Sequence, residues 1–110
     1  MGDVPEPTVR VTRYEVSILP EDNRNARYFK LHVGYRGDGQ WIVYQGEQPR
    51  FCLGRDGSWA YESAVDDEWL ALRTFDKETA LRLACEAAPH ITVNGYTAGD
   101  FLKAAAARKA

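Results

Sequence analysis

The run FDKETALRLACEAAP, Phe75 to Pro89, decides the fold, because it is the one long segment with both a helical period and two readable ends. Asp76 is placed to cap the helix, since its carboxylate can accept from free first-turn amides, and Glu78 adds negative charge where the helix dipole is positive. Phe75, just ahead of the cap, can staple onto Ala80. Leu81, Ala84, Cys85 and Ala88 recur at the spacing of one buried stripe, and Lys77, Arg82 and Glu86 fall mostly off it. Small residues on that stripe predict close approach to a sheet. Pro89 lacks an amide hydrogen and biases Ala88 away from helical angles, so the helix ends there.

Everything upstream reads as strand and turn. In Tyr28 to Arg36, Phe29, Leu31, Val33 and Tyr35 are apolar and alternate with Lys30, His32 and Arg36, the mark of a half-buried strand. Gly37, Asp38 and Gly39 supply a tight hairpin returning through QWIVYQ, Gln40 to Gln45. Two loop lengths fit. A two-residue Asp38-Gly39 turn puts Ile42 and Tyr44 on the core face and leaves Trp41 beside Arg36 on the outer face, free to stack on a ligand. A three-residue loop with a bulge at Gly39 puts Trp41 and Val43 in the core instead. A second hairpin joins Phe51 to Gly54 with Ser58 to Glu62 around Arg55, Asp56 and Gly57.

Within Val9 to Leu19, Tyr14, Val16 and Ile18 share a face, but Val9 and Val11 are out of phase, which predicts a bulge near Thr12 or a later strand start. Pro20 to Ala26 is a polar loop. Ser63 to Phe75 predicts one helical turn capped by Asp66, then extended chain. After Pro89, HITVNGYT predicts a short extended segment and an Asn94-Gly95 turn, and Thr97 with Asp100 forms a capping pair for a second helix whose Phe101, Leu102 and Ala105 dock. The expected architecture is therefore α+β: an antiparallel sheet of about four strands in two hairpins, packed on one long helix, with a short C-terminal helix. Residues 1 to 8 are expected to form a flexible tail, 9 to 104 one domain, and 105 to 110 a fraying end.

The 110-residue chain carries a net charge of −2, which lacks the overall positive field of a strong nucleic-acid binder. The charge is uneven, however: Arg10, Arg13, Arg24, Arg27, Lys30 and Arg36 dominate the first strands, and Glu62, Asp66, Asp67, Glu68, Asp76 and Glu78 follow later. Cys52 and Cys85 form no CxxC, and MGDVPEPT has no apolar export core, so reduced thiols and a cytoplasmic location are expected. No run approaches the length of a membrane span.

His32 and His90 match no metal-ligand spacing with either cysteine, and Cys85 on the helix stripe reads as a packed thiol. Asp66, Asp67 and Glu68 point in different directions and read as capping or solvated acids. The glycines sit in or beside hairpins and open no helix, so they form no phosphate loop. No catalytic, cofactor-binding or metal residue is assigned, no cofactor or small-molecule ligand is inferred, and the protein is not expected to be an enzyme. What remains is a set of aromatic residues, Trp41, Tyr44, Trp59, Tyr61 and Trp69, in a sheet with one helix to cover it; those not taken by the core form a platform.

The segments CLGRDGSWAYE, DEWL, FDKETALRLA and APHITVNG resemble small uncharacterised proteins of actinobacteria and their phages, a likeness that spans about Tyr14 to Asp100 and attaches no activity to any position. The order of strands followed by TFDKETALRLA is also similar to the three-stranded DNA-reading domains that begin some phage-type integrases, which implies a basic, aromatic sheet face. The expected function is that of a small non-catalytic module binding another protein through the open sheet face. The alternative is nucleic-acid binding, and the residues assigned to either are Arg10, Arg13, Lys30, Arg36 and Trp41.

Overall fold

A computed structural model describes residues 4 to 47, 49 to 62 and 66 to 109, with side chains as far as Lys103. Its first strand, β1 (Arg13–Val16), starts late, the second of the two alternatives expected for this stretch. The loop that follows contains a 3-10 turn at Ala26–Tyr28 and leads into β2 (Leu31–Gly37), β3 (Gln40–Gln45), β4 (Phe51–Leu53) and β5 (Trp59–Tyr61). These five strands form one antiparallel meander in sequence order, one strand more than expected.

The β2–β3 hairpin resolves the choice that the sequence left open. Gly37 faces Gln40 across a two-residue turn, in which Asp38 and Gly39 both have positive φ, 53° and 72°, as the turn that follows strand twist requires. Arg36 is an extra residue in β2, because the register shifts between Tyr35 and Gly37. The turn is thus the short one, and the bulge lies at Arg36 rather than Gly39. The result is Tyr35 opposite Trp41 and Val33 opposite Val43. Trp41 and Val43 therefore face the core.

Helix α2 (Lys77–Ala87) lies across that face, capped by the Asp76 carboxylate, which accepts from the Thr79 amide at 2.7 Å. Ala80, Ala84 and Ala88 are fully buried, and the absence of larger side chains lets the helix sit on Leu31, Val33, Trp41 and Val43. The buried stripe is centred on Ala80 and Ala84, with Leu81 and Leu83 flanking it. Cys85 lies beyond the stripe and is exposed, contrary to the packing expected of it. Beyond the short β3–β4 pairing of Tyr44–Gln45 with Phe51–Cys52, Trp41 exchanges two backbone hydrogen bonds with Phe75, at 2.7 and 2.9 Å. The segment entering α2 thus occupies the sheet position that β4 leaves vacant.

The second sheet face is covered in part, which the sequence did not lead one to expect. Helix α1 (Asp67–Arg73) is two turns rather than one, capped by the Asp66 side chain on the Trp69 amide, and it lays Trp69 on Ile42, Tyr44 and Cys52. Ser63, the expected start of this stretch, lies outside the described residues. Two guanidinium groups tie α1 to the β4–β5 hairpin. Arg73 donates to the Cys52 carbonyl and the Ser58 hydroxyl, and Arg55 donates to the carbonyls of Ala71 and Thr74. The latter meets the helix end where carbonyls lack partners.

After a 3-10 turn at Ala88–His90, β6 (Thr92–Val93) and β7 (Tyr96–Thr97) form a small separate hairpin around Asn94-Gly95, and α3 (Ala98–Lys109) follows. The expected capping pair is present: the Thr97 amide donates to Asp100 Oδ2 at 2.8 Å, and the Asp100 amide donates to Thr97 Oγ1 at 3.2 Å. Phe101 packs on Phe29 with ring centroids 5.1 Å apart, in a third cluster with Leu19 and Ala98. Phe29 belongs there and not to the main core. The packing expected of Ala105 lies outside the described side chains. Among the described residues no helix is long and apolar enough to cross a membrane.

Two substitutions separate core from surface. Trp41→Ala should lower unfolding free energy by about 3–5 kcal/mol, as truncation of a buried Trp does. Cys85→Ser should change it by no more than about 0.5 kcal/mol, in keeping with an exposed site. Urea denaturation followed by circular dichroism checks both.

Candidate binding face

Strand alternation fixes the members of the second face. Arg13 and Glu15 of β1, His32 and Gly34 of β2, Ile42 and Tyr44 of β3 and Cys52 of β4 all fall on it, because Glu15 pairs with His32, His32 with Tyr44, and Tyr44 with Cys52. Gly34 is a steric requirement of this face. A Cβ built there would come within 2.9 Å of Tyr44 Cε1, so only glycine lets the tyrosine ring lie across β2. The ring is 4% exposed, with the His32 ring 5.2 Å away and the Arg50 guanidinium 5.0 Å above its centroid. Arg13, on β1, shares this face and lines the groove beside His32.

Around this tyrosine the charges are arranged in pairs. Arg13 bonds Glu47 at 2.8 Å, and Lys30 meets Glu15 at 3.1 Å. Arg50 grips both oxygens of Glu62, with contacts of 2.6 to 3.0 Å, while Arg36 approaches the same carboxylate at 3.6 Å and lies 5.6 Å from the Trp69 ring. The first two pairs are largely exposed and add little to stability. The Arg50–Glu62 fork is more enclosed and bidentate, which fixes its geometry. Beside the pairs runs a groove of about 690 Å³, lined by Arg13, Glu15, Lys30, His32 and Glu47.

Among the described residues, His32 carries the buried side-chain polar atom with an unmet bond. It is 8% exposed, and its buried Nδ1 has no hydrogen-bond partner. Burial, reinforced by Arg13 and Lys30 nearby, pushes its pKa below the usual 6.5, so it is neutral at pH 7. The Cys52 thiol on the same face is buried under Trp69 and pushed up to about 11, which leaves it protonated and a poor nucleophile at neutral pH. No group of three potential metal ligands occurs among the described residues. The face thus presents paired cations beside a groove.

Of the residues singled out in the sequence, Arg13, Lys30 and Arg36 share this face, and Arg10 lies exposed ahead of β1. Trp41 does not join them. It is 8% exposed on the opposite face, between Tyr14 and Tyr35 at ring distances of 5.8 and 5.2 Å, because the Arg36 bulge turns it toward α2. Tyr44 belongs to the aromatic set expected to supply a platform, whereas His32, Arg50 and Glu62 were assigned to no site. Tyr44 and His32 had a usable signal, since both lie on strands beside a mid-strand glycine, which marks a close approach. Arg50 and Glu62 had none, because they face each other only once β4 and β5 pair. Of the other aromatic residues, Trp69 is buried, and Phe51, Trp59 and Tyr61 form a ladder on the first face, with centroids 5.5 and 4.7 Å apart.

Two measurements test this construction. Gly34→Ala should displace the Tyr44 ring and lower stability by about 1–3 kcal/mol in urea melts. The depressed pKa of His32 gives a signed pH dependence: well above pH 6.5 the imidazole is neutral in both states and its contribution is constant. As pH falls below that value the unfolded chain takes the proton first and stability declines. His32→Phe should flatten that part of the stability profile.

The chain matches no family model, no curated protein and no solved structure.

Proposed function

We propose that the protein is a small interaction module that binds an acidic segment of another protein on the second sheet face. The observation that carries this reading is the gathering of four cations on one face: Arg50 over the Tyr44 ring, Arg36 on the same Glu62 carboxylate as Arg50, and Arg13 and Lys30 along the groove. Arg13 and Lys30 hold exposed carboxylates of their own chain, Glu47 and Glu15, which a partner's acidic side chains can replace at small cost. Arg50 and Tyr44 supply the rigid floor. The presence of Glu15, Glu47 and Glu62 among the cations favours a protein ligand over a nucleic-acid backbone, which rewards an unbroken positive track.

The test is capture from host lysate on the immobilised protein, with and without nuclease. A protein retained after nuclease treatment, and lost about tenfold when Arg13, Lys30 and Arg36 are each reversed to Glu, is the expected outcome. Circular dichroism should confirm that the variants fold. Retention that disappears with nuclease would replace this reading by nucleic-acid binding, and retention indifferent to all three reversals would move the site elsewhere.

A further inference from the structure

The two edges of the five-stranded sheet are not alike. At the β5 edge, the Gly54 amide bonds the Ser58 carbonyl and the Glu62 amide bonds the Arg50 carbonyl, so the alternation of an antiparallel ladder turns the backbone groups of Trp59 and Tyr61 outward. The edge is three residues long, and the Trp69 indole N–H occupies the Tyr61 carbonyl at 3.2 Å. It is short and capped, as protected edges are.

At the β1 edge the Tyr35 amide bonds the Thr12 carbonyl, and the same alternation directs the backbone of Tyr14 and Val16 toward β2. The N–H and C=O groups of Arg13 and Glu15 therefore point away from the sheet. Ahead of them the chain carries Val9 and Val11, 96% and 61% exposed. No proline interrupts Thr8 to Leu19.

The charges on this edge are self-complementary. In antiparallel pairing of β1 with a second copy about a two-fold axis through Tyr14, each Arg13 faces the other copy's Glu15, twice over. Moving the axis to Arg13 sets Arg13 against Arg13, and moving it to Glu15 sets Glu15 against Glu15. Opposite charges directly across a strand pair stabilise it and like charges oppose it. The Tyr14 register also places Thr12 across from Val16, two β-branched residues. Arg13 and Glu15 are mostly exposed, with intramolecular partners in exposed pairs, so both can share a second partner.

We infer that the protein self-associates through its β1 edges, joining two five-stranded sheets into one antiparallel sheet in a register set by reciprocal Arg13–Glu15 pairs. The pairing is short, so the dimer is weak and depends on concentration. This does not rest on the binding reading above, since it uses the backbone edge of β1.

The test is sedimentation equilibrium of the full chain over a concentration series, under reducing conditions so that the exposed Cys85 contributes no disulfide. The wild-type protein should show a reversible monomer–dimer equilibrium. Arg13→Glu and Glu15→Arg should each weaken it about tenfold, and the double exchange R13E/E15R should restore it. Glu15→Pro removes an outward amide while sparing the bonds to β2, and should abolish the dimer with an unchanged circular dichroism spectrum. If that variant does not fold, the charge exchange alone decides. A wild-type protein that stays monomeric throughout, a dimer indifferent to the single reversals, or a double exchange that stays as weak as the single variants would each overturn the proposal.

Discussion

The register of the β2–β3 hairpin is the constraint on which the molecule depends. A two-residue turn with Asp38 and Gly39 in left-handed conformations follows the natural twist, and one extra residue at Arg36 shifts everything beyond it. Because side chains alternate with a period of two, that single residue decides which half of β3 is core. It sends Trp41 and Val43 under α2, and it sends Ile42 and Tyr44 to the face that α1 partly covers. The same bulge aims the Arg36 guanidinium at Trp69 and Glu62. Core, second face and candidate site are thus consequences of one irregularity.

Tyr44 shows how such a decision propagates into a site. Its ring needs the absence of a side chain at Gly34, and it then provides an aromatic surface for Arg50. Arg50 is held in turn by Glu62, which belongs to the end of the next hairpin. A polar layer is built on a tyrosine floor, and it positions cations that would otherwise move freely on long side chains. His32 is enclosed by the same arrangement with one nitrogen unmatched.

Much of the fold was legible because its signals are local. Asp76, Asp66 and the Thr97–Asp100 pair all cap as their side chains predict, Asn94-Gly95 turns a hairpin, and Tyr14 with Val16 marks β1 once the out-of-phase valines are set aside. The errors arise where a decision is tertiary. An extra residue at Arg36 leaves no mark in composition, since bulges form in response to the twist and packing of the whole hairpin. Cys85 and Leu83 lie on opposite borders of the α2 stripe, and which one faces the sheet depends on how the helix is rotated. The second turn of α1 is favoured by contacts of Trp69 with strands far away in sequence. For the site, Arg13, Lys30 and Arg36 could be placed on one face from their strands alone, whereas Glu47 and Glu62, which pair with Arg13 and Arg36, come from a loop and a hairpin end.

The tethering of α1 by Arg55 and Arg73 bears on how the molecule comes apart. These two side chains bond three backbone carbonyls and one hydroxyl between the β4–β5 hairpin and α1, and Trp69 adds a fourth carbonyl at Tyr61. Each element is too short to persist alone, since isolated hairpins and two-turn helices are marginal in water. Hairpin and helix therefore open and close as one cooperative unit, with amide protection against solvent exchange shared between Phe51–Tyr61 and Asp67–Arg73.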